Sequence, residues 1–310
     1  MKQKKLEGLS IIESRYGEWM WKLISDDDSE VFADLQIVPS PREVDDYKLC
    51  GLYHKAGVPF QVYDVEHKPI EGMRVHEEIV NAYYHTTLEA IQKGNPILVA
   101  GGFCTYAPGV MGALRERAGE DKKIGILWID AHGDIKTEKT SDNRLIAGLP
   151  LGTILGFGME RWRLSAGLKK PLDGRYVLIS DYRVRTPEVV DDLVRSGIST
   201  LDTEGFNDPA RWKAAVHKLA DQVDMIYMHI DVDILKKEYV PTFLFPTPGG
   251  NDLSVLMDNV RVVMDTGKVM VFGVYNTCFD TDLPGKETAT LTGMKIIASG
   301  LENWKEHPAI

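Results

Sequence analysis

Ile124-Gly125-Ile126-Leu127-Trp128-Ile129 runs straight into Asp130-Ala131-His132-Gly133-Asp134, and this junction decides the fold. A short, uninterrupted run of apolar residues, rich in β-branched and aromatic side chains, is the pattern of a strand covered on both faces, as in a parallel sheet. The pattern recurs at residues 97–101, 176–180, Met225–Asp231 and Val269–Tyr275. Residues 58–64 are a weaker strand, because Pro59 confines them to a strand start or a sheet edge. Between the strands, helical spacing predicts helices over residues 75–93 (closed by Gly94), 187–196, 210–223 and 254–266. Alternation of this kind predicts one α/β domain around a mostly parallel, doubly wound sheet. Its ligands collect beyond the carboxyl ends of the strands.

Two of those ends carry clustered acids. The first is Asp130-Ala131-His132-Gly133-Asp134; the second is His229-Ile230-Asp231-Val232-Asp233, whose two carboxylates point alike if the chain stays extended. Four anions in a partly buried site repel one another by several kcal/mol unless a cation lies between them. Carboxylates with one imidazole suit Mn²⁺ or a similar divalent ion better than structural zinc. Capping and turn formation explain a single Asp at a strand end but not two such clusters. A third strand ends in Gly101-Gly102-Phe103-Cys104, where paired glycines permit close backbone approach. Taken alone, Cys104 reads as a small buried hydrophobe.

Composition narrows the function classes. The 310 residues hold 36 Lys and Arg against 46 Asp and Glu, a net charge of −10, which gives no electrostatic reason to bind nucleic acid or an anionic membrane. Hydrophobic content of 44% with 26% charged residues is that of a globular chain. No stretch approaches the ~18 uncharged apolar residues of a membrane span. The basic start at residues 1–8 lacks the apolar core of a signal peptide. Cys50, Cys104 and Cys278 are too few for a disulfide framework, so a reducing, cytoplasmic setting is expected.

These residues, in this order, resemble the arginase/agmatinase (ureohydrolase) family. Its pattern is Gly-Gly-Asp-His after one strand, Asp-Ala-His-x-Asp after the next, and a later Asp-x-Asp loop ending Thr-Pro-x-x-Gly. Here the later loop reads Asp231-Val232-Asp233-Ile234-Leu235-Lys236-Lys237-Glu238-Tyr239-Val240-Pro241, then Thr247-Pro248-Gly249-Gly250. The resemblance covers most of the chain from about Val58 onward and leaves residues 1–50 as a divergent part of a single domain spanning 1–310. It implies a three-layer αβα fold, manganese (two ions per chain), and hydrolysis of a guanidino-type C–N bond by a metal-activated hydroxide. A small-molecule substrate and a homo-oligomer, trimer or hexamer, are implied as well. Carried over by position, the metal ligands are Asp130, His132, Asp134, Asp231 and Asp233, with Cys104 in place of the family's first histidine. Asp134 and His132 take the catalytic roles, and Lys136 and Asn143 fall where substrate-carboxylate contacts are expected.

Three departures shape the functional expectation. A thiol replaces an imidazole at Cys104, which matches Mn²⁺ poorly and favours a single ion or another divalent metal. Ala147, before Gly148, stands where arginases carry a proton-shuttling histidine. Residues 275–278 hold no acid to grip a guanidinium, a contact worth a few kcal/mol. The sequence therefore predicts a hydrolase of linear amidines acting on an atypical substrate, with a catalytically degenerate binding or regulatory subunit as the alternative. Cys104 as a nucleophile with His132 as base is disfavoured, since neighbouring acids raise a thiol's pKa.

Overall fold

The expected apolar runs form the centre of an eight-stranded sheet. In the computed structural model, which describes residues 2–16, 42–141, 146–184, 193, 196–243, 247–278 and 283–310, the strands are β1 (Gln3–Lys5), β2 (Leu9–Glu13), β3 (Phe60–Asp64), β4 (Ile97–Ala100), β5 (Ile124–Ile129), β6 (Val177–Ser180), β7 (Ser199–Leu201), β8 (Met225–Asp231), β9 (Val269–Tyr275) and β10 (Glu306–Pro308). The large sheet has the order β3-β2-β4-β9-β8-β5-β6-β7 with every neighbouring pair parallel. Strands β4, β5, β8 and β9 are buried along their whole length, whereas β3 and β7 are partly exposed. Pro59 accordingly precedes an edge strand.

Strands β1, β2, β7 and β10 escaped the sequence reading, and β2 is the one buried in the sheet's interior. Leu9–Glu13 is fully buried and pairs with both β3 and β4, so the first 50 residues contribute to the sheet. Its sequence, Leu9-Ser10-Ile11-Ile12-Glu13, carries two buried polar residues and so lacks the uninterrupted apolar run of the other strands. Strands β1 and β10 form a separate antiparallel pair that ties residues near the two ends of the chain together.

The helices are α1 (Glu43–Leu49), α2 (Val75–Ile91), α3 (Ala107–Ala118), α4 (Pro150–Ile154), α5 (Glu160–Ser165), α6 (Thr203–Asn207), α7 (Pro209–Gln222), α8 (Leu253–Met264) and α9 (Lys286–Asn303). They sort into two packed groups, α2 with α3, α4 and α5, and α7 with α8 and α9, which complete a three-layer αβα fold. Local chemistry sets their starts. Asp208 accepts hydrogen bonds from the amides of Ala210 at 2.8 Å and Arg211 at 3.1 Å, and Pro209 sits at the first helical position of α7. Of the helix expected over residues 187–196, all but 193 and 196, which are helical, lie outside the described residues. No helix among them is long and apolar enough to cross a membrane.

Candidate metal centre

Parallel pairing of β5 with β8 aligns Ile129 with Ile230, so Asp130 and Asp231 leave the sheet side by side. Beyond β5 the chain turns at once: the His132 amide donates to Asp130 Oδ1 at 2.6 Å. Beyond β8 the expected extended Asp-x-Asp does not persist. Asp231 Oδ1 accepts from the Asp233 amide at 3.1 Å and bends residues 232–234 into a 3₁₀ turn. That turn carries Asp233 toward the β5 loop, where its Oδ1 accepts from the Ala131 amide at 3.2 Å and its Oδ2 lies 2.7 Å from His132 Nδ1. His132 Nδ1 also lies 3.5 Å from Asp130 Oδ1. Asp130, His132 and Asp233 thus present ligand atoms that all lie within 4.8 Å of one another. Both carboxylates are buried, while the His132 side chain keeps 39% of its surface exposed, leaving the group an open side.

The neighbouring corner, between β4 and β9, is built differently. Gly101 and Gly102 follow β4 with φ of 73° and 83°, and a Cβ on Gly102 would meet Tyr106 and Tyr83 at 2.8 Å. Asn276, just past β9, is also left-handed at φ 59°, and its amide donates to the Gly102 carbonyl at 2.8 Å. Its side-chain Nδ2 donates to Asp231 Oδ2. Cys104 opens a 3₁₀ turn here, with Sγ 3.6 Å from the Ala147 carbonyl. Asp134 is buried at φ 49°, and its Oδ2 has no hydrogen-bond partner. Cys104, Asp134 and Asp231 do not join any second group of three converging donors among the described residues. Left-handed non-glycine residues gather at functional sites. Three of the four described here, Asp134, Asp181 and Asn276, lie just beyond the carboxyl ends of β5, β6 and β9.

Electrostatics match the geometry. Burial, reinforced by Asp233, raises Asp130 to about 6. Burial and then Asp130 push Asp134 well above the ordinary carboxylate range; burial, Asp233 and Asp130 do the same to Asp231. Asp233 goes the other way: burial opposes its charge, but the imidazolium of His132 outweighs that and lowers it. Burial alone would depress His132, yet Asp233 and Asp130 raise it to about 12. Arg183 does not neutralise the cluster. Its guanidinium donates to the Asp181 carboxylate, to the Ile234 carbonyl at 3.3 Å and to the Asp233 carbonyl at 3.2 Å, holding the turn rather than the acids. In the absence of a metal, a protonated imidazole is the counter-charge for two aspartates. A divalent cation suits that place better, because it leaves the imidazole neutral and the carboxylates ionised.

An aromatic floor supports the carboxylates. Trp128, two residues before Asp130 and on the same face, donates Nε1–H to Asp130 Oδ2 at 2.9 Å. Its ring stacks on His229 with centroids 3.5 Å apart, and His229 stacks on Tyr275 at 4.4 Å. Tyr275 reaches across because Gly273 has no Cβ, which would sit 2.4 Å from the tyrosine ring. Neither ring nitrogen of His229 has a hydrogen-bond partner, and burial holds its pKa well below the ordinary value, so it serves as packing.

The model of the arginase family matches residues 44–300. The chain belongs to that family. Among curated relatives, the Bacillus caldovelox arginase is 25% identical over 165 residues, covering 52% of this chain and about half (54%) of that relative's length. The Emericella nidulans arginase is 24% identical over 267 residues, covering 80% and 78%. The structure of Entamoeba histolytica arginase in complex with L-ornithine matches with a TM-score of 0.78 at 15% identity over 96% of this chain and 98% of that one. Formimidoylglutamase from Bacillus subtilis matches with a TM-score of 0.67 at 12% identity over 97% and 88%. These structural matches show the shared fold.

Of the residues singled out from this arginase-family sequence, Asp130, His132 and Asp233 come together, while Cys104, Asp134 and Asp231 border them without joining the group. Lys136 donates its amide to the Gly148 carbonyl at 3.1 Å, which folds residues 146–148 back over the cluster's side. Asn143 lies outside the described residues. The sequence reading passed over three contributors: Trp128, Asn276 and the Asp181–Arg183 pair. The period of two between Trp128 and Asp130 was visible; the αL conformation of Asn276 was not.

Proposed function

We propose that this chain is a metal-dependent hydrolase of a C–N bond in a guanidino- or amidino-type small molecule, with a substrate other than that of an ordinary arginase. The observation that carries the reading is the convergence of Asp130, His132 and Asp233 at the carboxyl edge of the sheet. The donor set fits a divalent metal: two carboxylates and an imidazole, with an open side. Manganese is the ion supported by membership of the family. A divalent ion at this position supplies Lewis acidity and makes water a nucleophile near neutral pH.

The chain's own residues do the rest. Asp130 is oriented by Trp128 and the His132 amide, and Asp233 by the Ala131 amide. Asp134 carries its unpartnered Oδ2 at the same edge, where it can accept a hydrogen bond from water or hold a proton. Asp134 and His132 are the proposed catalytic residues, with Lys136 and Asn143 on the substrate side. A cationic guanidinium is disfavoured because Asn276, Thr277 and Cys278 offer no carboxylate. A neutral, hydroxylated or formimino compound fits better. The same family membership supports a homo-oligomer, trimer or hexamer, and a chain with three cysteines, too few for a disulfide framework, supports a cytoplasmic setting.

Mn²⁺-loaded protein, screened against guanidino, hydroxyguanidino and formimino compounds for release of urea, ammonia or formamide, tests the reading. Turnover that disappears in His132→Ala supports it. Bound metal with no turnover on any class favours the second reading, a binding or regulatory subunit. Ala147 at the expected shuttle position, its carbonyl facing Cys104, is the observation on that side.

A further inference from the structure

The Cys104 corner is where this chain parts from a two-ion design. We propose that the chain holds one divalent ion, at Asp130, His132 and Asp233, and that Cys104 and Asn276 close the second position. This rests on the metal-dependent reading above and goes beyond it in fixing the number of ions and the residues that set it.

Three observations point the same way. First, Asp130, His132 and Asp233 are the one set of three acidic, imidazole or thiol donors among the described residues whose ligand atoms lie within 4.8 Å of one another. A second ion would need a set of its own from Cys104, Asp134 and Asp231, together with a shared carboxylate. Those donors do not converge.

Second, Asp231 faces the wrong kind of partner. Asn276 Nδ2 donates to Asp231 Oδ2, so the positive end of an N–H dipole takes up an oxygen that a cation would otherwise use. The contact is fixed by the backbone: Asn276 is held left-handed, and its own amide is tied to the Gly102 carbonyl at 2.8 Å. Moving the side chain away would leave a buried amide without its acceptor.

Third, Cys104 is placed as a thiol rather than a thiolate. Its Sγ lies 3.6 Å from the Ala147 carbonyl, an acceptor for S–H and a repulsive neighbour for S⁻. Metals bind the thiolate, and a sulfur turned onto a backbone carbonyl is not turned toward a cation. The oxygens still unpartnered beside it, Asp134 Oδ2 and Asn276 Oδ1, are acceptors.

The test counts ions. Metal-free full-length protein is titrated with Mn²⁺, bound metal is measured after desalting, and the electron paramagnetic resonance spectrum is recorded. One equivalent per chain with the six-line spectrum of an isolated ion is expected. Co²⁺-loaded protein should show no thiolate-to-metal charge-transfer band. Cys104→Ala should keep one equivalent with affinity unchanged within about threefold. Two equivalents with an exchange-coupled spectrum, a charge-transfer band, or loss of the ion in Cys104→Ala overturns the proposal and leaves the hydrolase reading intact. Failure of the wild-type chain to bind any of Mn²⁺, Co²⁺ or Zn²⁺ overturns both.

Discussion

Two adjacent corners of one sheet, both at its carboxyl edge, treat their polar groups in opposite ways. Between β5 and β8, Asp130, His132 and Asp233 aim at a common point and rely on an imidazolium for charge balance. Between β9 and β4, Asn276, Gly102, Cys104 and Ala147 pair with the backbone or with Asp231. The difference is one of unmet need. The first corner holds buried carboxylates whose directly contacting counter-charge among the described residues is a removable proton on His132, and such a site gains free energy from a cation. The second corner already engages an Asp231 oxygen with a hydrogen-bond donor. Fold alone does not decide which corner binds; side-chain pairing does.

The largest effect expected is on the first corner. His132→Ala removes a direct donor and should weaken Mn²⁺ binding by more than ~100-fold, since loss even of an outer partner costs ~10–100-fold. Calorimetric titration of the variant checks this, and affinity retained within tenfold would break the contrast between the corners.

Acid titration must be corrected for the scaffold before it reports on either corner. Buried His76 is one such group, beside His229: burial, with help from Arg74 and Arg161, lowers His76 from 6.5 to about 3. The unfolded chain takes up a proton near pH 6.5 that the folded chain refuses. Its contribution is therefore complete above pH 6.5 and is lost as pH falls from there toward 3. The slope is about 1.4 kcal/mol per pH unit, or roughly 2–3 kcal/mol by pH 4.5. His76→Phe should flatten this dependence in chemical unfolding curves whether or not metal is present.

Gly102→Ala is aimed at the second corner. A side chain at φ 83°, facing Tyr83 and Tyr106, should cost about 1–3 kcal/mol of stability. The Mn²⁺ affinity of the folded fraction should stay near wild type if the two corners are independent. Trp128→Phe keeps the ring but deletes the N–H donated to Asp130. It should lower Mn²⁺ affinity by about 10–100-fold, and the smaller ring in this fully buried place should also lower the unfolding midpoint. Equal affinity would mean that the aromatic floor merely packs.

Most of the fold was legible because buried parallel strands announce themselves. The runs at 97–100, 124–129, 225–231 and 269–275 needed no partner to be read. Leu9–Glu13 was not legible, since Ser10 and Glu13 break its apolar run and are buried only because strands lie on either side of it. At the site, Asp130, His132 and Asp233 follow from position in the chain, but the split between converging and closed donors does not. It depends on the 3₁₀ turn that swings Asp233 across to His132 and on the left-handed Asn276, both tertiary choices. Asp231 illustrates the limit: spacing makes it the equal of Asp233, whereas its pairing with Asn276 sets it apart.

Anomalous diffraction from crystals soaked in Mn²⁺ tests the central claim most directly. A single manganese peak within bonding distance of Asp130, His132 and Asp233 is the result expected. No peak there, with the guanidinium of Arg183 turned onto the Asp233 carboxylate, would contradict it.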